Sequence, residues 1–268
     1  MSLMVLLHSS CVSKFPSATR RIAAAGTPAE TKITGAAAEP EISDLLAYLR
    51  GCGARIESQP DGAILVQGRE ALTGCCCHAI LPDRIEAATY LAAAAITGGE
   101  ITVYARPEHL AAPLAALRRM GCRITTGEQS ITLTAPEHLQ GAGSIVTLPY
   151  PGFPTDLQAI FMALAAAAEG YTAFTETVFP RRWAHVEELR RLGADITVVG
   201  SHAVIRGAPL IGSALTCTDL RAGAAVVLAA LAAKGESSVT AISHIERGYA
   251  DFVSTLRHLG ADIYLTEV

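Results

Sequence analysis

The stretch YPGFPTDLQAIF, residues 150–161, holds one carboxylate, Asp156, between a Pro-rich turn and an apolar run. An aspartate there suits two tasks. It can cap the first free amides of a helix, or it can take a proton from a bound hydroxyl. Asp83 and Asp219 stand in the same setting, each ahead of an Ala-rich run. Helix N-termini collect anions, so three gathered on one side of a domain would floor a site for an anionic ligand. Three arginines add to this: Arg182, Arg247 and Arg221, the last two residues after Asp219. Guanidinium grips carboxylate or phosphate through paired hydrogen bonds and keeps its charge. On residue type alone, Arg182 and Arg247 suit a solvated surface equally well, Arg221 suits a local pair with Asp219, and His244 suits packing. The run CCCH (75–78) is the one metal-like cluster. No second Cys/His pair follows at zinc spacing, so neither a metal nor a cofactor is expected.

The elements that must position these residues repeat. LRGCGARI (49–56), LRRMGCRI (117–124), LRRLGADI (189–196) and LRHLGADI (256–263) share one pattern. Each predicts a helix with a basic last turn, a left-handed Gly just beyond it and a short strand. ITLTAP (131–136) and AVIRG (203–207) read as hairpin partners for such strands. A second repeat precedes three of the copies: residues 82–103, 155–176 and 218–241. In each, Asp leads an Ala-rich helix, apolar nearly all round and hence buried, then a Gly and a strand. Pro113 breaks the pattern and should kink its helix or move its start. The organisation expected is an atypical segment at 1–30, a partial unit at 31–80 and three full units at 81–268. The partial unit lacks a buried helix and should expose apolar surface.

Half of the 268 residues are hydrophobic and 17% are charged, which permits a substantial core. A net charge of −4 and 5% aromatics exclude nucleic acid as the main partner. Seven cysteines, three of them adjacent, make a poor disulfide framework and fit a reducing cytoplasm. The apolar run 222–233 is too short for a membrane span, which needs roughly 20 residues.

Several long stretches together resemble one family: TETVFPRRWAHVEELRRLGADI (175–196), TDLRAGAAVVLAAL (218–231), HIERGYADFVSTLRHLGADI (244–263), and parts of 37–50 and 82–101. The family is UDP-N-acetylglucosamine 1-carboxyvinyltransferase, and the resemblance runs from about Thr31 onward. It implies an α/β fold, the inside-out α/β barrel of the enolpyruvyl transferases, with one near-complete domain of three repeated units plus a remnant of the other. It implies transfer of the enolpyruvyl group of phosphoenolpyruvate to the 3′-hydroxyl of UDP-N-acetylglucosamine. Asp156 then contacts the sugar nucleotide and deprotonates its hydroxyl. Val178 contacts the sugar nucleotide through its backbone. Arg247, with Arg182 and Arg221, serves the phosphoenolpyruvate side, and Asp219 is carried over with Arg221.

The resemblance also implies a Lys-Asn pair for phosphoenolpyruvate and a mobile loop with a cysteine or aspartate general acid. Neither finds a match here, so the chain reads as truncated at its N-terminus and inactive alone. A chain supplying the missing domain is an expected partner. The alternatives are a non-catalytic UDP-sugar-binding remnant and a shikimate-pathway relative, the latter disfavoured by TETVF and HIERGY.

Overall fold

The computed structural model describes residues 5–7, 22–74 and 77–266. Most of the segment 1–30 lies outside the described residues, as do Cys75 and Cys76. The chain divides into two compact units, Met1–Leu81 and Pro82–Val268.

In the first unit, β1 (Val5–Leu7) pairs in parallel with β2 (Glu30–Ile33). Helix α1 (Pro40–Gly51) precedes β3 (Arg55–Ser58) and β4 (Ile64–Gln67), and the sheet order is β1-β2-β4-β3. Leu46, Leu49, Ile56, Ile64 and Val66 form its core, together with Ala24 and Ala25 from a helical turn over 22–25. His78 meets the Asp44 carboxylate at 3.0 Å and lies edge-on to Tyr48. Among the described residues, no group of three or more His, Cys, Asp or Glu side chains is placed to hold a metal.

The second unit is built on three apolar helices: α2 (Arg84–Thr97), α4 (Gln158–Ala167) and α6 (Leu220–Ala232). Each packs against the other two. Ala-rich faces let helix axes approach closely, and burial on all sides follows from their all-round apolarity. Ala88, Leu91, Ile160, Leu164, Ala224 and Leu228 are fully buried in this core.

Sheets cover the helices. After α2, the strands β5 (Glu100–Tyr104), β6 (Arg123–Thr126) and β7 (Ser130–Thr134) form the antiparallel order β5-β7-β6. Between β5 and β6, a 3₁₀ turn at Pro107–Leu110 leads into α3 (Ala111–Arg119). Pro113 thus falls in the first turn of α3, where no intrahelical amide is required, and the helix start has moved to suit it. Around α4, β8 (Gly143–Val146), β9 (Tyr171–Thr175), β10 (Asp195–Val199) and β11 (His202–Arg206) form β8-β9-β11-β10, with α5 (Val186–Arg191) before β10. This is the strand order of the first unit. Flanking α6, β12 (Ala214–Thr216) and β13 (Ser238–Thr240) pair in parallel. Helices α7 (Ser243–Glu246) and α8 (Phe252–His258) follow.

The four helix-end glycines behave as the repeat predicts. Gly53, Gly121, Gly193 and Gly260 have φ of +91°, +95°, +95° and +99°. In each copy the Gly amide donates to the carbonyl three residues back, and the next amide donates to the carbonyl five residues back: Ala54 to Leu49, Cys122 to Leu117, Ala194 to Leu189 and Ala261 to Leu256. This is the Schellman closure, which satisfies the last helical carbonyls. The strand expected after the fourth copy is absent, and residues 261–266 are irregular. The other three strands each pair with a return strand, β4, β7 or β11. None stands beside 261–266 among the described residues, and an unpaired strand leaves its backbone groups unsatisfied.

Candidate functional site

The three leading aspartates do different work. Asp83 caps α2, its Oδ1 accepting from the amides of Ile85 (2.8 Å) and Glu86 (3.1 Å). Asp219 caps α6, accepting from Arg221 and Ala222 at 2.8 Å each. Asp156 caps nothing. Pro154 fixes an extended entry, a 3₁₀ turn at Thr155–Leu157 tightens the start of α4, and no side chain caps that helix. The carboxylate therefore points away from the backbone. Oδ1 accepts from Arg182 Nη1 at 2.8 Å, and Oδ2 accepts from Arg221 Nη2 at 3.2 Å. The cap reading fails for Asp156 alone, because its turn is tighter than those before Asp83 and Asp219.

Arg221 reaches further. Its Nη1 donates to the Tyr249 hydroxyl at 3.1 Å, and the guanidinium carbon lies 5.5 Å from that ring's centre. Tyr249, 1% exposed, shares a 2.9 Å hydrogen bond with Thr89 on α2. The starts of α4 and α6 and the second turn of α2 are thereby tied together. The local Arg221–Asp219 ion pair is not formed, since the Asp219 carboxylate is used as a cap.

A second carboxylate lies behind the first. Glu176 follows β9 and is fully buried. Its Oε1 accepts from the Thr147 hydroxyl and the amides of Val178 and Phe179, each at 2.8 Å. Its Oε2 accepts from the Thr155 hydroxyl at 2.9 Å, and Thr155 Oγ1 accepts from Arg182 Nη1 at 3.1 Å. Sequence reasoning missed Glu176. The signal was present: an acidic residue between two threonines at the end of an apolar strand. The amide of Val178 is committed to Glu176, which leaves its carbonyl as the backbone group still open to a ligand.

Arg247 is exposed at the end of α7; its amide donates to the Ile245 carbonyl, and its guanidinium meets no side chain among the described residues. It is not brought to Asp156 as Arg182 and Arg221 are. The neighbour that does reach the site is Tyr249.

Charge sets the chemistry of this cluster. Burial pushes the Asp156 carboxyl up, but the Arg182 hydrogen bond and the charges of Arg221 and Arg182 outweigh it, so the group lies below its usual range. Burial likewise opposes the charge of Arg221, yet Tyr249 and Asp156 hold it above its ordinary value. The resting site is ionised and internally paired, with side-chain exposures of 40% for Asp156, 22% for Arg182 and 14% for Arg221. It is open enough for an anion to compete for the guanidiniums. Burial raises the Cys122 and Cys217 thiols to about 11, which unfits them as acids near neutrality.

His185 stands 3.0 Å from the Met162 sulfur and is 1% exposed. Burial first, then the Arg182 charge, lowers it to about 4 against the pull of Asp219. The folded state thus prefers the neutral ring, and this stability is complete above the unfolded value of 6.5 and lost as pH falls towards 4. Between pH 6.5 and pH 5, where most carboxylates remain ionised, His185 is expected to account for a loss of about 1.5 kcal/mol. Urea midpoints at the two pH values, for the wild type and His185→Gln, test this. The variant should lose most of the pH difference, and an unchanged difference refutes the assignment.

Known proteins point the same way. The family model of EPSP synthase (3-phosphoshikimate 1-carboxyvinyltransferase) matches residues 4–256. The match takes in residues ahead of Thr31 as well. UDP-N-acetylglucosamine 1-carboxyvinyltransferase 1 of Symbiobacterium thermophilum is 48% identical over 255 residues, covering 93% of this chain and 57% of its own length. The Finegoldia magna enzyme of that name is 46% identical, covering 95% and 62%. The crystal structure of the enolpyruvyl transferase NikO from Streptomyces tendae superposes with a TM-score of 0.81 at 30% identity, covering 90% of this chain and 58% of NikO. The chain therefore spans about three fifths of the length of the curated relatives it matches. With a matching α/β fold and a family model that takes in nearly every described residue, the chain belongs to the EPSP synthase (3-phosphoshikimate 1-carboxyvinyltransferase) family.

Proposed function

We propose that this chain carries the Asp156 side of an enolpyruvyl transferase site. The reaction is transfer of enolpyruvyl from phosphoenolpyruvate to the 3′-hydroxyl of UDP-N-acetylglucosamine, an early step of peptidoglycan synthesis in the cytoplasm. The observation that carries this reading is the Asp156 carboxylate, released from capping and held between two guanidiniums. The relatives' names support the choice of acceptor over a shikimate.

In the resting state Asp156 is a weak base, because two cations stabilise its anion. Phosphoenolpyruvate brings a carboxylate and a phosphate that compete for Arg182 and Arg221, with exposed Arg247 as a third contact. Each guanidinium drawn off raises the basicity of Asp156. The sugar nucleotide, seated against the Val178 backbone, then presents its hydroxyl to a carboxylate able to take the proton. Asp219 holds the first turn of α6 and so the root of Arg221. We read the fold as an inside-out α/β barrel of repeated units, near-complete at 81–268 and partial at 31–80. The remaining machinery, including the general acid, belongs to a second domain that closes over both substrates.

The test has two arms. Calorimetry of residues 1–268 with UDP-N-acetylglucosamine should show weak saturable binding. Phosphate release with both substrates should be negligible for this polypeptide alone. It should appear on adding the part of the Symbiobacterium thermophilum relative that this chain does not span. Binding of shikimate 3-phosphate in place of the sugar nucleotide, or no binding of either, overturns the reading.

A further inference from the structure

Behind the candidate site, a fully buried carboxylate is wired to an arginine of that site through one hydroxyl. We propose that Glu176 and Thr155 act as positioning residues that hold the Arg182 guanidinium on Asp156, and that this relay sets how tightly the site grips the sugar nucleotide. The proposal rests on the functional reading above for its ligand, but not for its geometry.

The geometry is specific. Four donors converge on Glu176, and among the described residues no lysine or arginine pairs with it: the hydroxyls of Thr147 and Thr155 and the amides of Val178 and Phe179. A carboxylate without a direct cation is costly to bury unless donors fill its lone pairs, and here they do. Three of the four donors belong to segments that form the site: the 3₁₀ turn before α4 and the TETVF turn. Thr155 gives its proton to Glu176, so its lone pairs face Arg182, whose Nη1 divides between Thr155 Oγ1 (3.1 Å) and Asp156 Oδ1 (2.8 Å). Removing the Thr155 hydroxyl, or the charge behind it, leaves Arg182 held by Asp156 and the Phe179 ring face alone, the latter at 5.6 Å. The same carboxylate fixes the Val178 amide, and hence the direction of the Val178 carbonyl.

Thr155→Val removes the link at constant volume, Thr155→Ser keeps it, and Glu176→Gln leaves four donors facing one oxygen and an amide. Two readouts separate this proposal from the functional reading. The first is a ¹³C titration of the Asp156 carboxyl, which needs no ligand; the charged groups paired with it are Arg182 and Arg221. Its pKa should rise towards the ordinary range in Thr155→Val and Glu176→Gln and stay at the wild-type value in Thr155→Ser. The second is calorimetry with UDP-N-acetylglucosamine, where the first two variants should bind about tenfold more weakly and the serine variant within about twofold of wild type. A Thr155→Val protein with unshifted Asp156 titration overturns the relay. So does a Thr155→Ser protein as impaired as the valine variant. If the wild type fails to bind the sugar nucleotide while the titrations shift as stated, the functional reading falls and the relay stands.

Discussion

Asp156→Asn is expected to cut phosphate release by about 10²–10⁴-fold in the complemented enzyme, the usual worth of a general base. The change keeps the side chain's shape and one acceptor oxygen. It removes the group proposed to take the proton and the charge that two guanidiniums share. Because the carboxylate is 40% exposed, water screens much of that lost pairing, and the unfolding midpoint should fall only slightly. Activity and stability should therefore separate. Steady-state phosphate release and a thermal melt on the same sample check both halves. Turnover within tenfold of wild type would remove Asp156 from the chemistry. A collapse of the melt would show that its role is structural.

Gly207→Ala should do the opposite, destroying stability at a place remote from chemistry. After β11 the chain crosses the C-terminal end of α4, where the Gly207 amide donates to Gly170 and the Ala208 amide to Ala166. A Cβ on Gly207 would lie 1.3 Å from the Ala168 carbonyl oxygen. That neighbour is backbone, so no rotamer change relieves the overlap. Gly141 and Gly212 make similar crossings, against the carbonyls of Tyr171 (2.3 Å) and Glu236 (2.1 Å). The expected loss is about 3 kcal/mol or more, or roughly 10 °C in the melt of a unit this size. Gly99→Ala, with no neighbour closer than 3.7 Å, serves as the control and should shift the melt little. A Gly207→Ala protein as stable as that control would mean the strand slides freely over the helix end.

Reading the sequence succeeded where the determinant was local. The helix-end glycines, the buried Ala-rich helices, the hairpins at 123–134 and 195–206 and the caps at Asp83 and Asp219 all follow from a few neighbouring residues. It stopped where the partner lay far along the chain. Nothing near Arg221 says that it bonds a carboxylate 65 positions away, and its neighbour Asp219 offered a simple local pair. Glu176 was passed over for the same reason, since two of its donors, Thr147 and Thr155, come from another segment. The strand expected at the end of the fourth copy (256–263) failed on a tertiary condition too: a strand exists only beside another.

The uncapped start of α4 leaves a carboxylate available for a new partner without adding a residue. In its neighbours the aspartate at this place is spent on two amides. Here one tightened turn, entered from Pro154, turns the same side chain outward. The helix forgoes about 1 kcal/mol of capping. In exchange, the carboxylate is left free of the backbone and meets Arg182 and Arg221 instead, so a change of backbone by a single turn alters what the same residue type can reach.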